Sequence, residues 1–290
     1  MFIGRRLGFV AVGSLLFTIL GTACHPNERR AVKAEPSREE AKRPAAVAET
    51  AAPPAPEPAP PPPPPARVER IRVPGDSIAS LVRSTDKKPP TTVFLGGVCS
   101  NANAYLQTFP EAAQKHGGVV AIEGDRECSA DGVFRTYSWD AGRQHQRIEA
   151  ALAATGVTEI PKSGLTLVGY SQGAALAEQM VQRWPDRYRR IVLIGAPTDP
   201  APKNFVSAGA VVTMSCDRDV VARMKTAATG ITKAGTPATY VQMPGCTHGG
   251  IGEGERVFGE AFSFLNENAK SPRPSAAPIV IAGVIPSPAH

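Results

Sequence analysis

The sequence is poor in the features that mark several large classes of protein. Charge of one sign is scarce, since 32 basic against 26 acidic residues leave only +6 over 290 positions. Part of that excess sits at the ends, with Arg5 and Arg6 at the start and Arg273 in the tail, while the segment 25–66 holds six residues of each sign. Subtracting these leaves 23 basic and 20 acidic residues in 67–270, a net +3. A nucleic-acid footprint needs a basic patch or stripe, which so small a surplus does not supply. Histidine is scarce too, at five residues, and no zinc-ligand spacing is present. Glu123, Asp125, Glu127 and Asp131 gather carboxylates but lack the loop spacing of a calcium motif, so neither metal nor cofactor is expected. Long apolar runs are also missing. Leu7 to Ala23 is at the short edge of the roughly 20 residues that a spanning helix needs, and Gly8, Gly13 and Gly21 interrupt it.

With Arg5 and Arg6 ahead of it, that run reads as an export signal, residues 1–23. Gly21-Thr22-Ala23 ends in small residues and is followed by Cys24, a pattern that resembles a bacterial lipobox with the preferred leucine one place early, at Leu20. Lipidation of Cys24 would anchor an exported chain to a bacterial membrane, with a periplasmic or cell-surface location; simple cleavage after Ala23 is the alternative. Residues 24–66 then form a proline- and alanine-rich linker with 13 of the 29 prolines, six of them consecutive at 60–65. Such a tract buries no core. At about 3.1 Å per residue in polyproline geometry, Pro53 to Pro65 spans roughly 40 Å, which suits a semi-rigid stalk or, alternatively, a proline-motif ligand.

The stretch 67–270, some 200 residues long, is enough for one domain with its own core. Apolar strand-like runs fall at 92–97, 118–122, 165–169, 190–195, 210–214 and 239–243, and helical patterns at 105–116, 141–154, 174–188 and 256–268. Alternation of this kind predicts an α/β fold, a mostly parallel sheet with helices on both faces. Residues 71–73 and 78–82 add a possible edge element. The tail 271–290 is rich in proline and alanine, and its apolar stretch 279–285 is expected either to lie on the domain or to stay disordered.

Gly169-Tyr170-Ser171-Gln172-Gly173 joins the strand-like 165–168 to the helix-like run from Ala174. In that context it is a nucleophile elbow, because a sharp strand-to-helix turn holds the central serine clear of the backbone and tolerates only glycine two positions to either side. Downstream, the strand-like 210–214 leads into Cys216-Asp217-Arg218-Asp219-Val220, and 239–243 leads into Gly245-Cys246-Thr247-His248-Gly249-Gly250. The order Ser, Asp, His resembles that of the α/β-hydrolases over roughly 91–268, and the elbow is similar to those of cutinases and small carboxylesterases. Only about fourteen residues separate the strand ending at Gly195 from that starting at Ala210, too few for the cap domain that larger members insert there.

The resemblance implies a serine hydrolase that cleaves carboxylic esters through an acyl-enzyme, with Ser171 as nucleophile, His248 as base and Asp219 as the acid, ahead of Asp217 and Asp199. It implies an oxyanion hole from the backbone of Gln172 and, matching Gly96-Gly97-Val98-Cys99 to the family's His-Gly-x segment, of Val98, with Gly97 and Cys99 in reserve; the paired glycines could equally serve only a tight turn. Tyr170 is the expected pocket aromatic. Tyr137 and Trp139 are either cleft or packing residues. His25, His116, His145 and His290 are expected to be solvated. Setting Cys24 aside leaves four cysteines, and the family's strand order implies the disulfides Cys99–Cys128 and Cys216–Cys246. A peptidase or acyltransferase on the same fold would carry the same residues, and a hydrolase-fold lipoprotein acting as a binding domain is the non-enzyme alternative.

Overall fold

The computed structural model describes residues 64–271 and 279–281; the signal-like segment, Cys24, nearly all of the proline tract and the rest of the tail lie outside the described residues, and the expectations about lipidation and anchoring lie there with them. Among the described residues no helix is long and apolar enough to cross a membrane. Along the chain run β1 (Glu69–Ile71), β2 (Ala79–Val82), β3 (Thr92–Leu95), α1 (Ala102–Leu106), α2 (Pro110–Lys115), β4 (Val119–Ile122), β5 (Arg126–Glu127), β6 (Arg135–Thr136) and α3 (Ala141–Ala154). There follow β7 (Glu159–Ile160), β8 (Leu165–Tyr170), α4 (Gln172–Arg183), β9 (Tyr188–Ile194), β10 (Ala210–Arg218), α5 (Val221–Lys233), β11 (Ala238–Thr247), α6 (Gly254–Asn268) and β12 (Ile279–Val280).

The main sheet has eight strands in the order β1-β2-β4-β3-β8-β9-β10-β11. All neighbours from β4 to β11 pair in parallel, and β1 and β2 close one edge antiparallel. Every residue of β3, β4 and β8 is buried, which is why these strands read in the sequence as continuous apolar runs rather than alternating ones. Successive side chains nonetheless go to opposite faces. Val93 and Leu95 join a core with α3, α4 and α5, whereas Phe94 joins a second core with α1, α2 and α6. In that second core Phe109 stacks on Phe258 at 3.6 Å, and burial of side chains of this size stabilises the fold by about 1.5–3 kcal/mol each.

Three helical regions differ from the sequence pattern. The helix expected over 105–116 is two helices, because Thr108 Oγ1 donates to the Tyr105 carbonyl at 2.7 Å and Pro110, which has no N–H to continue the ladder, opens α2 instead. The Glu255 carboxylate of α6 accepts from Glu111 N and Ala112 N and so caps that new start. The helix expected over 174–188 stops at Arg183, and Tyr188 already belongs to β9. Helix α5 is additional; its buried Met224, Ala227, Ala228 and Ile231 recur at helical spacing within a threonine-rich, weakly helical stretch. In the tail, Ile279–Val280 pairs antiparallel with β7 and Ile281 is buried. The connection 196–209 contains one 3-10 turn, Pro202–Phe205, pinned by Glu178 of α4 through Ala201 N and Asn204 Nδ2.

Candidate active site

Strand β8 ends at Tyr170 and α4 begins at Gln172, so Ser171 alone makes the turn. Its φ of 50° and ψ of −110° are strained for a residue with a Cβ. The turn stays tied to the sheet, since Ser171 N donates to the Ile194 carbonyl at 2.8 Å and Gly173 N donates to the Gly96 carbonyl at 3.0 Å. A Cβ on Gly169 would collide with the Gly173 carbonyl, and one on Gly173 with the Leu95 carbonyl, so the flanking glycines are required by the close approach of helix to sheet.

His248 Nε2 lies 3.0 Å from Ser171 Oγ, and His248 Nδ1 lies 2.9 Å from Asp219 Oδ2. The Asp219 side chain is only 7% exposed whereas that of His248 is half exposed. A register shift between Cys216 and Arg218, where β10 meets β11, re-aims the end of β10. Gly195, directly after β9, has φ +52°, and a Cβ there would stand 2.9 Å from Asp219 Oδ2 and 3.2 Å from the His248 ring.

The other two acids take different partners. Asp217 accepts from Gly245 N at 2.9 Å and Cys246 N at 3.2 Å, and these backbone donors hold its carboxyl below the usual range. It thus braces the turn that carries His248. Asp199 is 89% exposed and pairs with Arg223 at 2.8 Å. Of the three candidates, Asp219 is the one that meets the imidazole.

On the other side of the serine, Gly96 N donates to the Tyr137 hydroxyl at 2.9 Å and Ser100 N donates to the Arg135 carbonyl at 2.9 Å. The segment between them, Gly97-Val98-Cys99, passes the elbow, with a Cβ position on Gly97 only 3.4 Å from Ser171 Cβ. Cys99 turns the chain through φ +49°. Gln172, the first residue of α4, has no carbonyl one turn earlier in its own helix to receive its N–H. Its buried amide is locked to the end of β6: Oε1 accepts from Thr136 Oγ1 and Tyr137 N, and Nε2 donates to the Tyr137 carbonyl.

The structure joins Cys99 to Cys128 and Cys216 to Cys246. The first bridge ties the segment after β3 to the β5–β6 hairpin, and the second ties β10 to β11 just ahead of Asp219 and His248.

Two side chains behave otherwise than the sequence suggests. Tyr170, expected to line a pocket, is 1% exposed: it lies on the α6 side of the sheet, stacks on Tyr105 at 5.2 Å, and its hydroxyl accepts from Gly249 N at 2.6 Å. Burial raises its phenol, which therefore remains a neutral brace for the histidine loop. His145, expected to be solvated, stacks on Trp184 at 4.0 Å, and its Nδ1 meets the Tyr188 hydroxyl at 2.7 Å. Burial, and secondarily the charge of Arg187, depress its pKa to about 4.

The expected acidic cluster is spent on structure. Glu123 accepts from Ala102 N and Asn103 N at the start of α1. Asp125 binds Ser138, Gln144 and Arg143; burial alone would raise its carboxyl, but the hydrogen bonds led by Ser138 hold it well below the ordinary range. Tyr137 is buried, with its hydroxyl donating to the Ile122 carbonyl at 2.6 Å, and Trp139 is exposed. The sequence reading missed Gly195, whose only signal was a glycine at the end of an apolar strand, and Tyr105, whose hydroxyl donates to the Gly249 carbonyl at 3.1 Å and which carried no signal.

A mostly parallel sheet between two helical layers, with a strained serine turn after its fifth strand in spatial order and an Asp–His pair at the ends of its last two, is the α/β-hydrolase fold. No protein-family model matches the chain, and no curated protein does. Among solved structures, a predicted CIB-like hydrolase from Thermoplasma acidophilum is similar with a TM-score of 0.51 and 15% identity, over 70% of this chain and 98% of that one. A hyperthermophilic esterase from the archaeon Pyrobaculum calidifontis has a TM-score of 0.49 and 16% identity, over 70% and 87%. The esterase PE8 has a TM-score of 0.48 and 19% identity, over 65% and 97%. At such identities the likeness is one of fold.

Proposed function

We propose that the protein is a serine hydrolase that cleaves carboxylic esters through an acyl-enzyme. The observation that carries the reading is the continuous chain from Ser171 Oγ through the two ring nitrogens of His248 to Asp219 Oδ2, set on a strained elbow. In this mechanism His248 Nε2 takes the hydroxyl proton as Ser171 attacks the ester carbonyl, and then gives it to the departing alcohol. Asp219 accepts from Nδ1–H, which selects the tautomer with a free Nε2 and stabilises the imidazolium. Negative charge on the carbonyl oxygen is met by the backbone N–H groups of Gln172 and Val98. Water then attacks the acyl-enzyme with His248 again as base, and Ser171 is restored. A lipidated Cys24 would hold this domain at a membrane on its proline-rich stalk.

A fluorophosphonate probe tests the reading. The wild-type protein is expected to be labelled at one serine and to hydrolyse p-nitrophenyl acetate, with both signals absent from a folded Ser171→Ala variant. Full labelling of that variant would remove Ser171 from the mechanism.

A further inference from the structure

A cavity of about 410 Å³ opens between the segment that follows β3 and the loop that follows β11, with Gly249, the neighbour of His248, in its wall. Its inventory bears on what it binds. No ionisable acid or base lines it apart from the phenol of Tyr105. Each polar side chain in its wall is already committed to the protein. Ser100 Oγ donates to the Gly97 carbonyl, Thr108 Oγ1 to the Tyr105 carbonyl, and the Tyr105 hydroxyl to the Gly249 carbonyl. The Asn101 amide is used at both ends, donating to the Val133 carbonyl and accepting from Ala104 N. The large side chains in the wall free of such bonds are apolar, Val98, Phe134 and Ile251, with the smaller Ala104 beside them.

Two of these, Val98 at 57% and Phe134 at 47%, are exposed large apolar side chains. They are also held relative to each other. The Cys99–Cys128 bridge and the reciprocal backbone hydrogen bonds between Ser100 and Arg135, both 2.9 Å, fasten the hairpin that carries Phe134 to the segment that carries Val98. A rigid, largely apolar rim whose polar side chains already bond within the protein offers burial to a neutral hydrocarbon group and no ion-pair partner to a charged one.

We infer that this cavity takes the alcohol portion of the ester, and that the portion is an uncharged alkyl or aryl group whose size is sensed by Phe134. This rests on the serine-hydrolase reading above. The side follows from proton transfer: His248 must deliver its proton to the leaving oxygen, so the group on that oxygen passes the histidine loop, and Gly249, Gly250 and Ile251 of that loop form the cavity wall.

The test uses two ester series with the purified protein, one with acetate constant and the alcohol lengthened from ethyl to hexyl, the other with ethyl constant and the acid lengthened from acetate to hexanoate. The wild type is expected to prefer hexyl acetate over ethyl acetate in kcat/KM by roughly tenfold. Phe134→Ala and Ile251→Ala should each shrink that ratio several-fold, while Trp139→Ala, which removes an exposed aromatic outside the cavity, should leave it in place. If instead the two cavity variants reduce the hexanoate preference and spare the hexyl one, the acid portion occupies the cavity and the inference is overturned. A wild type with no preference for the longer alcohol overturns it as well. Absence of any ester hydrolysis brings down the serine-hydrolase reading, and this inference with it.

Discussion

The turn at Ser171 and the turns that carry Asp219 and His248 are held by different means. Around Ser171 the geometry is local: five consecutive residues, two glycines that no other side chain can replace, and backbone hydrogen bonds to the neighbouring strands. Around Asp219 and His248 the geometry is assembled from afar. The two residues come from adjacent strands, and they are aligned by a register shift, a disulfide, the Asp217 carboxylate on the backbone of Gly245 and Cys246, and the Tyr170 hydroxyl on Gly249. Steric necessity permits no partial loss, whereas cross-links can be removed one at a time. The elbow should therefore fail abruptly and the relay by degrees.

The largest expected effect falls on the elbow. Ser171→Gly removes the proposed nucleophile and should lower ester turnover by about a million-fold, the scale of losing the nucleophile of a triad. It also relieves a positive-φ strain, so the variant should unfold at higher urea, corresponding to a gain of about 1 kcal/mol. An unchanged or lower midpoint would mean that the turn stores no strain.

Next comes the relay. Asp219→Asn should cost about four orders of magnitude in kcat, since an amide at that position favours the wrong imidazole tautomer. Asp217→Asn and Asp199→Asn should each cost less than about tenfold, because those carboxylates brace a turn and pair with Arg223. Equal losses at Asp219 and Asp217 would erase the distinction between acid and brace.

A smaller effect follows from the cross-link. Replacing both Cys216 and Cys246 with serine should lower kcat/KM about tenfold and stability by about 3 kcal/mol, as expected for a bridge that closes a loop of this length. Kinetics at a urea concentration where the variant is still folded separate the two losses. If activity falls only as the protein unfolds, the bridge serves the fold and not the relay.

The smallest effect concerns the far end of the elbow helix, where His145 packs on Trp184 and Tyr188. Its folded pKa, about 4, lies below the ordinary histidine value. The unfolded chain therefore binds the proton first, and the contribution is fully present above about pH 6.5 and lost as pH falls toward about 4. Denaturation midpoints of the wild type should drop across this window more steeply than those of His145→Gln, and parallel curves would remove His145 as the cause.

Much of this was legible in the sequence because burial on both faces writes the parallel strands as apolar runs, and because a strand, a serine between glycines and a helix occupy contiguous residues. The acid was harder. Asp217 and Asp219 are two residues apart at a strand's end, and their partners differ, Gly245 and Cys246 for one and His248 for the other, across a register shift after Cys216 that is a property of pairing between distant segments. Tyr170 was misassigned because adjacency in sequence to a nucleophile is not adjacency in space: consecutive strand residues face opposite ways, and Tyr170 follows Val168 into the α6 core. His145 looked like a surface position of α3, and its partners come from the end of α4 and the start of β9. The break at Pro110 was visible as a proline, but the helical pattern on either side outweighed it.

Gly195 bears on how such proteins are recognised. It has no side chain, and no comparison of Ser171, Asp219 and His248 would include it, yet a single methyl group there would press against both the Asp219 carboxylate and the His248 ring. A related sequence that retained all three reacting residues but carried alanine at this position would pass any motif search and still be expected to turn over poorly. The geometry that brings Ser171, His248 and Asp219 together is thus partly a set of absences, the side chains missing at 169, 173 and 195, and it is the last of these, far from the elbow in sequence, that a search for the three side chains alone would overlook.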